Sequence, residues 1–124
     1  MESPASLAIS DVSELRQISK ELRRKSLEII YQAGSGHPGG SLSAADLIAA
    51  IFFGKMRFDP KKPGDPNRDR FILSKGHCTG LLYSTLAKAG WFDSSKLSDY
   101  RKINSELFLS GHPHPKTPGV EIAT

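Results

Sequence analysis

A chain of 124 residues with 17 Lys and Arg against 13 Asp and Glu, a net charge of +4, has the length of one small domain. Its 38% hydrophobic and 24% charged residues are a globular balance, which excludes a disordered polyelectrolyte and a collagen-like repeat. A single cysteine, Cys78, excludes an internal disulfide framework and a multi-cysteine metal site.

In chain order, residues 1–10 lack the basic start and apolar stretch of a secretory leader and are expected to be a flexible N-terminus. Ser10 or Asp11 caps a first helix whose apolar positions Leu15, Ile18, Leu22 and Ile29 follow helical spacing. It is expected to run to about Gln32 and stop at Gly34. Lys20-Glu21-Leu22-Arg23-Arg24-Lys25 is the densest charge cluster; it reads as a solvated helix face rather than a nucleic-acid arm. Ser43 is the expected N-cap of a second helix, with Asp46 in its first turn and Leu42 stapled onto Leu47. That helix should end at Phe53-Gly54, with Gly54 as a left-handed cap. The apolar run Ala44–Gly54, interrupted by Asp46, is far too short to span a bilayer.

A Pro-, Asp- and Lys-rich surface loop follows from Lys55 to Asp69, and Phe71-Ile72-Leu73 is the best strand candidate. Ser74-Lys75-Gly76 turns into a third helix carrying Leu81, Leu82, Tyr83 and Leu86 and ending at Gly90. Asp93 or Ser94 caps a fourth through Leu97, Tyr100 and Ile103; beyond Asn104 the chain reads as loop. No internal repeat or low-complexity tract is present.

Three of the four histidines directly follow a glycine: His37 in Ser35-Gly36-His37-Pro38-Gly39-Gly40, His77 in Ser74-Lys75-Gly76-His77, and His112 in Gly111-His112-Pro113. Glycine lets a backbone approach a ligand closely, and proline after His37 and His112 stiffens the chain where it presents the ring. An imidazole can hydrogen-bond hydroxyl, carbonyl or phosphate oxygens, so the three together are candidate site residues, although each alone reads more readily as structural or merely exposed than as functional. Gly34-Ser35-Gly36-His37-Pro38-Gly39 matches the letters of a dinucleotide loop, but that motif needs a strand before it and here a helix precedes. A three-histidine zinc centre is a minor alternative, because spacings of 40 and 35 residues carry no local metal signature. His114 reads as exposed loop, Cys78 as a buried or idle thiol, and Lys75 as either an anion contact or a surface residue.

These motifs resemble the beginning of a transketolase. The matching stretches are Ser35-Gly36-His37-Pro38-Gly39, Asn67 through His77, and Gly111-His112-Pro113 followed by Pro118-Gly119-Val120-Glu121, in the family's order from about Leu15 to Thr124. Gly39-Gly40-Ser41-Leu42-Ser43-Ala44-Ala45-Asp46 and Ser74-Lys75-Gly76-His77 look most like the split transketolases, whose halves are separate chains.

The resemblance implies an α/β fold: residues 1–124 form a single partial domain, the start of a thiamine diphosphate-binding domain. This segment should be mostly helical with one or two short strands, Phe71 to Leu73 being the first core strand. It also implies transfer of a two-carbon ketol unit from a ketose phosphate to an aldose phosphate, with the cofactor carrying the hard chemistry. On matching positions His37 and His112 are the catalytic, substrate-contacting residues and His77 lies beside the cofactor's diphosphate. The sequence ends at Thr124, before the Gly-Asp-Gly and Asn that the family pattern uses for metal and diphosphate. The ligands of Mg2+ or Ca2+ are therefore expected outside this chain, and no turnover is expected from the chain alone. Expected partners are sugar phosphates and a C-terminal transketolase half or subunit in a homo- or hetero-oligomer, with no nucleic acid or membrane, in the cytoplasm. The alternative is a non-catalytic, truncated transketolase-like binding or assembly module.

Overall fold

A computed structural model describes residues 8–124; residues 1–7 of the expected flexible N-terminus lie outside the described residues. Asp11 opens the first helix, α1 (Val12–Ala33), by accepting a hydrogen bond from the Ser13 N–H, and Gly34 closes it in the left-handed conformation at φ 71°. Both ends match the sequence expectation because both are set by local chemistry. Ile18, Leu22 and Ile29 turn inward from α1 into the core.

The next element departs from expectation. Residues read as loop wind into a short helix, α2 (Pro38–Ser43), with Pro38 in its first turn, where a fixed φ and a missing N–H cost nothing. Ser43 therefore ends one helix instead of capping another: its Oγ donates to Gly40 O at 3.2 Å, and Ala44 stands at the N-cap of α3 (Ala45–Gly54) without a side-chain bond. Leu47, the expected partner of Leu42, is exposed. Gly54 is the last helical residue rather than a left-handed cap, and the chain leaves through Lys55 at φ −126° while Met56 N–H reaches Ile51 O at 2.8 Å. Buried Met56 and Phe58 draw the exit into the core.

The loop that follows is anchored by aromatic rings. Phe52 meets Phe58 and Phe71 at 5.4 Å each, and Phe58 stacks on Trp91 at 6.0 Å. Phe71-Ile72-Leu73, the expected strand, forms no strand ladder among the described residues. A strand needs a neighbour with which to exchange backbone hydrogen bonds, so a strand-like sequence does not suffice.

Helix α4 (Thr79–Lys88) is buried from Thr79 through Ala87, on every face. Ser84 and Thr85 tolerate this because their hydroxyls bond the carbonyls of Gly80 and Leu81, each at 2.7 Å. Gly80 lets α4 approach α1; a methyl group there would lie 3.2 Å from Ile30 Cδ1. Gly90, at φ 95°, turns the chain out as expected. The fourth expected helix is a single stretch of 3-10 helix, Ser94–Asp99, capped by Asp93 through the Ser95 N–H at 2.8 Å. It stops short of Ile103 because Arg101 adopts a left-handed φ of 61°. The segment is mostly helical, and α4 lies at its centre with α1, α2, α3 and the 3-10 turn packed around it.

Candidate functional site

Three glycine-bearing loops meet at the N-terminal end of α4. The first joins α1 to α2, the second is Ser74–Cys78, and the third is Ser110–Pro113. Gly36, at φ 147°, has Ile30 where a Cβ would stand (2.8 Å), so the turn into His37 requires glycine. At Gly40 a Cβ would overlap the Cys78 sulfur and stand 3.4 Å from His77 Nε2. Helix α2 thus lies with its backbone against the second loop. Lys75 fastens that contact, its Nζ donating to Gly40 O at 3.4 Å and Ser43 Oγ at 3.2 Å.

This packing brings two of the three expected histidines together. The rings of His37 and His77 meet edge to face with centroids 5.2 Å apart, and both residues are exposed. His112 is held at the same end of α4 through its backbone. Ser110 O accepts from the Tyr83 hydroxyl at 2.8 Å, Gly111 O from Thr79 Oγ1 at 3.3 Å, and His112 O from Ser110 Oγ at 2.7 Å. Thr79 is in turn bonded to the Tyr100 hydroxyl at 2.9 Å. The third loop is therefore tied to a residue two positions after His77, while its own histidine is exposed.

Cys78 is fully buried, and burial pushes its thiol up against a weaker opposing pull from Lys75, which makes it an unreactive neighbour as expected. His114 differs from expectation: it is half-buried, its ring packs on Phe108 at 5.1 Å, and its Nδ1 accepts from the Lys116 N–H at 3.1 Å. Two contacts have no signal in the sequence. Arg101 donates its Nε–H to Ser35 Oγ at 2.7 Å, across 66 positions. Arg68 forks onto Glu121 at 2.5 and 2.9 Å and lies over Trp91 at 5.5 Å. Arg68 and Glu121 fall inside two quoted motifs, but nothing local showed that they touch.

Among the described residues no group of three or more His, Cys, Asp or Glu could hold a metal ion, and no helix is long and apolar enough to cross a membrane. The exposed imidazoles suit an oxygen-rich ligand, whose phosphate and hydroxyl oxygens accept hydrogen bonds.

Comparison with known proteins shows the family of the chain. The family described as transketolase, thiamine diphosphate binding domain, matches residues 14–124. Human transketolase is 42% identical over 110 residues, covering 89% of this chain and 17% of its own length. One of the subunits of the apulose-4-phosphate transketolase of Phocaeicola vulgatus is 40% identical over 113 residues, covering 91% of this chain and 40% of its own. Among solved structures, transketolase from Pichia stipitis in complex with sedoheptulose-7-phosphate superposes with a TM-score of 0.84 at 38% identity, over 90% of this chain and 16% of that one. Transketolase from Campylobacter jejuni gives 0.83 at 36% identity, over 92% and 18%. The chain thus spans well under half the length of these relatives, and it belongs to the transketolase family, within the thiamine diphosphate-binding domain.

Proposed function

We propose that this chain supplies the histidine face of a transketolase site, for transfer of a two-carbon ketol unit from a ketose phosphate to an aldose phosphate. In this reading it works in assembly with a C-terminal transketolase half or subunit. The observation that carries it is the edge-to-face pair of His37 and His77, 5.2 Å apart where the three glycine loops converge. Such a surface presents N–H donors on short, tightly packed loops, which costs little reorganisation when an anionic ligand arrives.

When bound, thiamine diphosphate supplies a carbon nucleophile for the ketose carbonyl. His77 would lie beside its diphosphate and the reaction centre, where its ring could donate a hydrogen bond. His37 and His112 would donate to the ketose oxygens and stabilise negative charge developing there. By the same reading, the ligands of a Mg2+ or Ca2+ ion belong to the part of the assembled site outside this chain.

The test is turnover of an assembled enzyme containing this chain. His37→Ala and His112→Ala are each expected to lower kcat by about 100-fold, the scale of losing one donor to a developing oxyanion. Unchanged kcat in both variants overturns the assignment. The 124-residue chain by itself is expected to show no turnover.

A further inference from the structure

The loops that carry His37 and His112 are 75 positions apart and share no secondary-structure element. One side chain stands between them. Arg101 Nε donates to Ser35 Oγ at 2.7 Å, two residues before His37. The far end of the same guanidinium lies against Gly111, directly before His112: a Cβ on Gly111 would overlap Nη1 and stand 3.1 Å from Cζ. Ser35, Arg101 and Gly111 line one wall of a surface cleft of about 300 Å³.

The backbone of Arg101 is bent to allow this. Its φ of 61° is a left-handed conformation that L side chains adopt at a cost of about 1 kcal/mol or more. It is held there by its own N–H, which donates to Leu109 O at 2.8 Å, and Leu109 is fully buried. Thr79 and Tyr83 fasten the carbonyls of Gly111 and Ser110 to α4 on the other side of the loop. The third loop is thus fixed to the core, and the guanidinium carries that position across to the first loop.

We infer that Arg101 is a positioning residue that sets the placement of His37 relative to His112 by bridging Ser35 and Gly111. Its planar fork does this with fixed geometry, which a lysine ammonium on a flexible stem cannot reproduce. Gly111 is the complementary part, since only a residue without Cβ leaves room for the guanidinium. The bridge is a statement about loop geometry; its catalytic meaning rests on the roles proposed above for the two histidines.

The test is the ring signals of the four histidines in nitrogen-15 spectra of the full chain, assigned with His→Ala variants and followed through a pH titration. Arg101→Ala is expected to move the signals of both His37 and His112 while leaving His114 in place. Arg101→Lys, which keeps the charge, is expected to move them as well. Gly111→Ala displaces the guanidinium and should reproduce the change, and in the Arg101→Ala background it should add little, since the group it displaces is gone. Ser35→Ala, which removes only the acceptor on the first loop, should move His37 and spare His112, and it keeps the inference testable if Arg101→Ala fails to fold. Signals of His37 and His112 unmoved by Arg101→Ala in a folded chain overturn it, as do fully additive effects of Arg101→Ala and Gly111→Ala, or a Ser35→Ala spectrum unchanged at His37. These readouts need no enzymatic activity. Should the spectra agree while His37→Ala and His112→Ala leave turnover intact, the bridge stands and the catalytic reading falls.

Discussion

Tyr83 shows how one side chain links core and site. Its ring is fully buried beside Tyr100, with centroids 5.9 Å apart, and its hydroxyl reaches out to Ser110 O at 2.8 Å. Burial drives the phenol well above its ordinary pKa, outweighing the hydrogen bond to Ser110, because the phenolate would be stranded without water. A raised folded pKa means that the folded state holds the proton more tightly than the unfolded chain. The stability linked to Tyr83 is therefore complete below the unfolded value of about 10 and is lost as pH rises beyond it. Tyr83→Phe is expected to cost about 1 kcal/mol near neutral pH, from the lost bond to Ser110 O. The variant should also lose less stability than the parent between about pH 9 and pH 11, on either side of that unfolded value. Denaturant unfolding of both proteins across that range checks this, and parallel decline of the two curves would contradict it.

Between elements, polar contacts at the helix surface supplement the apolar core. The start of α3 is tied to α1 by Asp46, whose Oδ1 accepts from Ser19 Oγ at 2.6 Å and Arg23 Nη1 at 3.1 Å. Arg23 also donates to Leu42 O at 3.3 Å, at the end of α2, so one arginine of α1 touches both following helices. The Arg23 hydrogen bond, followed by that from Ser19, holds the Asp46 carboxyl below the usual carboxylate range. A depressed folded pKa contributes stability above the unfolded value of about 3.9, and that contribution disappears as pH falls through the folded one. With the Asp46 side chain 72% exposed, Asp46→Asn is expected to cost no more than about 1 kcal/mol at neutral pH. The difference should vanish in acid, as measured by thermal unfolding at a series of pH values. A difference persisting undiminished at about pH 2, well below the unfolded carboxylate value, would contradict the assignment.

Across the whole molecule, the Arg68–Glu121 pair joins the surface loop after α3 to the C-terminal residues, 53 positions apart. Its side chains are only 8% and 15% exposed, and Trp91 lies beneath the guanidinium. The same ring packs where a Cβ on Gly119 would stand, at 2.9 Å, so the segment from Gly119 to Glu121 is held on both sides. That segment leads to Thr124, whose backbone packs against Gly76, the residue before His77. Removing one partner of a shielded ion pair leaves the other charge uncompensated, so Arg68→Ala is expected to cost about 3 kcal/mol. Arg68→Lys should recover only part of it, because the ammonium cannot fork onto both carboxylate oxygens. Hydrogen exchange at the Val120 amide, which bonds Thr117 O at 3.1 Å, should quicken in both variants. Unaltered exchange together with unaltered melting would show that the clasp carries no load.

Read alone, the sequence determined the features whose cause is local. Asp11 and Gly34 bound α1 because a carboxylate satisfies a free N–H and glycine enters the left-handed region without penalty. Gly90 and Asp93 punctuate the chain for the same reasons, and the ordered motifs around His37, His77 and His112 carried the transketolase family. The tertiary structure decided what depends on distant partners. It wound residues 38–43 into a helix and turned Ser43 from a cap into a terminator. It left Phe71–Leu73 without a strand ladder, and it replaced the expected helix through Ile103 with a 3-10 turn and a bent Arg101. It also set the rings of His37 and His77 together, joined Arg101 to Ser35, and paired Arg68 with Glu121. Such contacts link positions 40, 66 and 53 apart, where no helical or strand period operates. Only the tertiary packing of helices and loops brings them within reach.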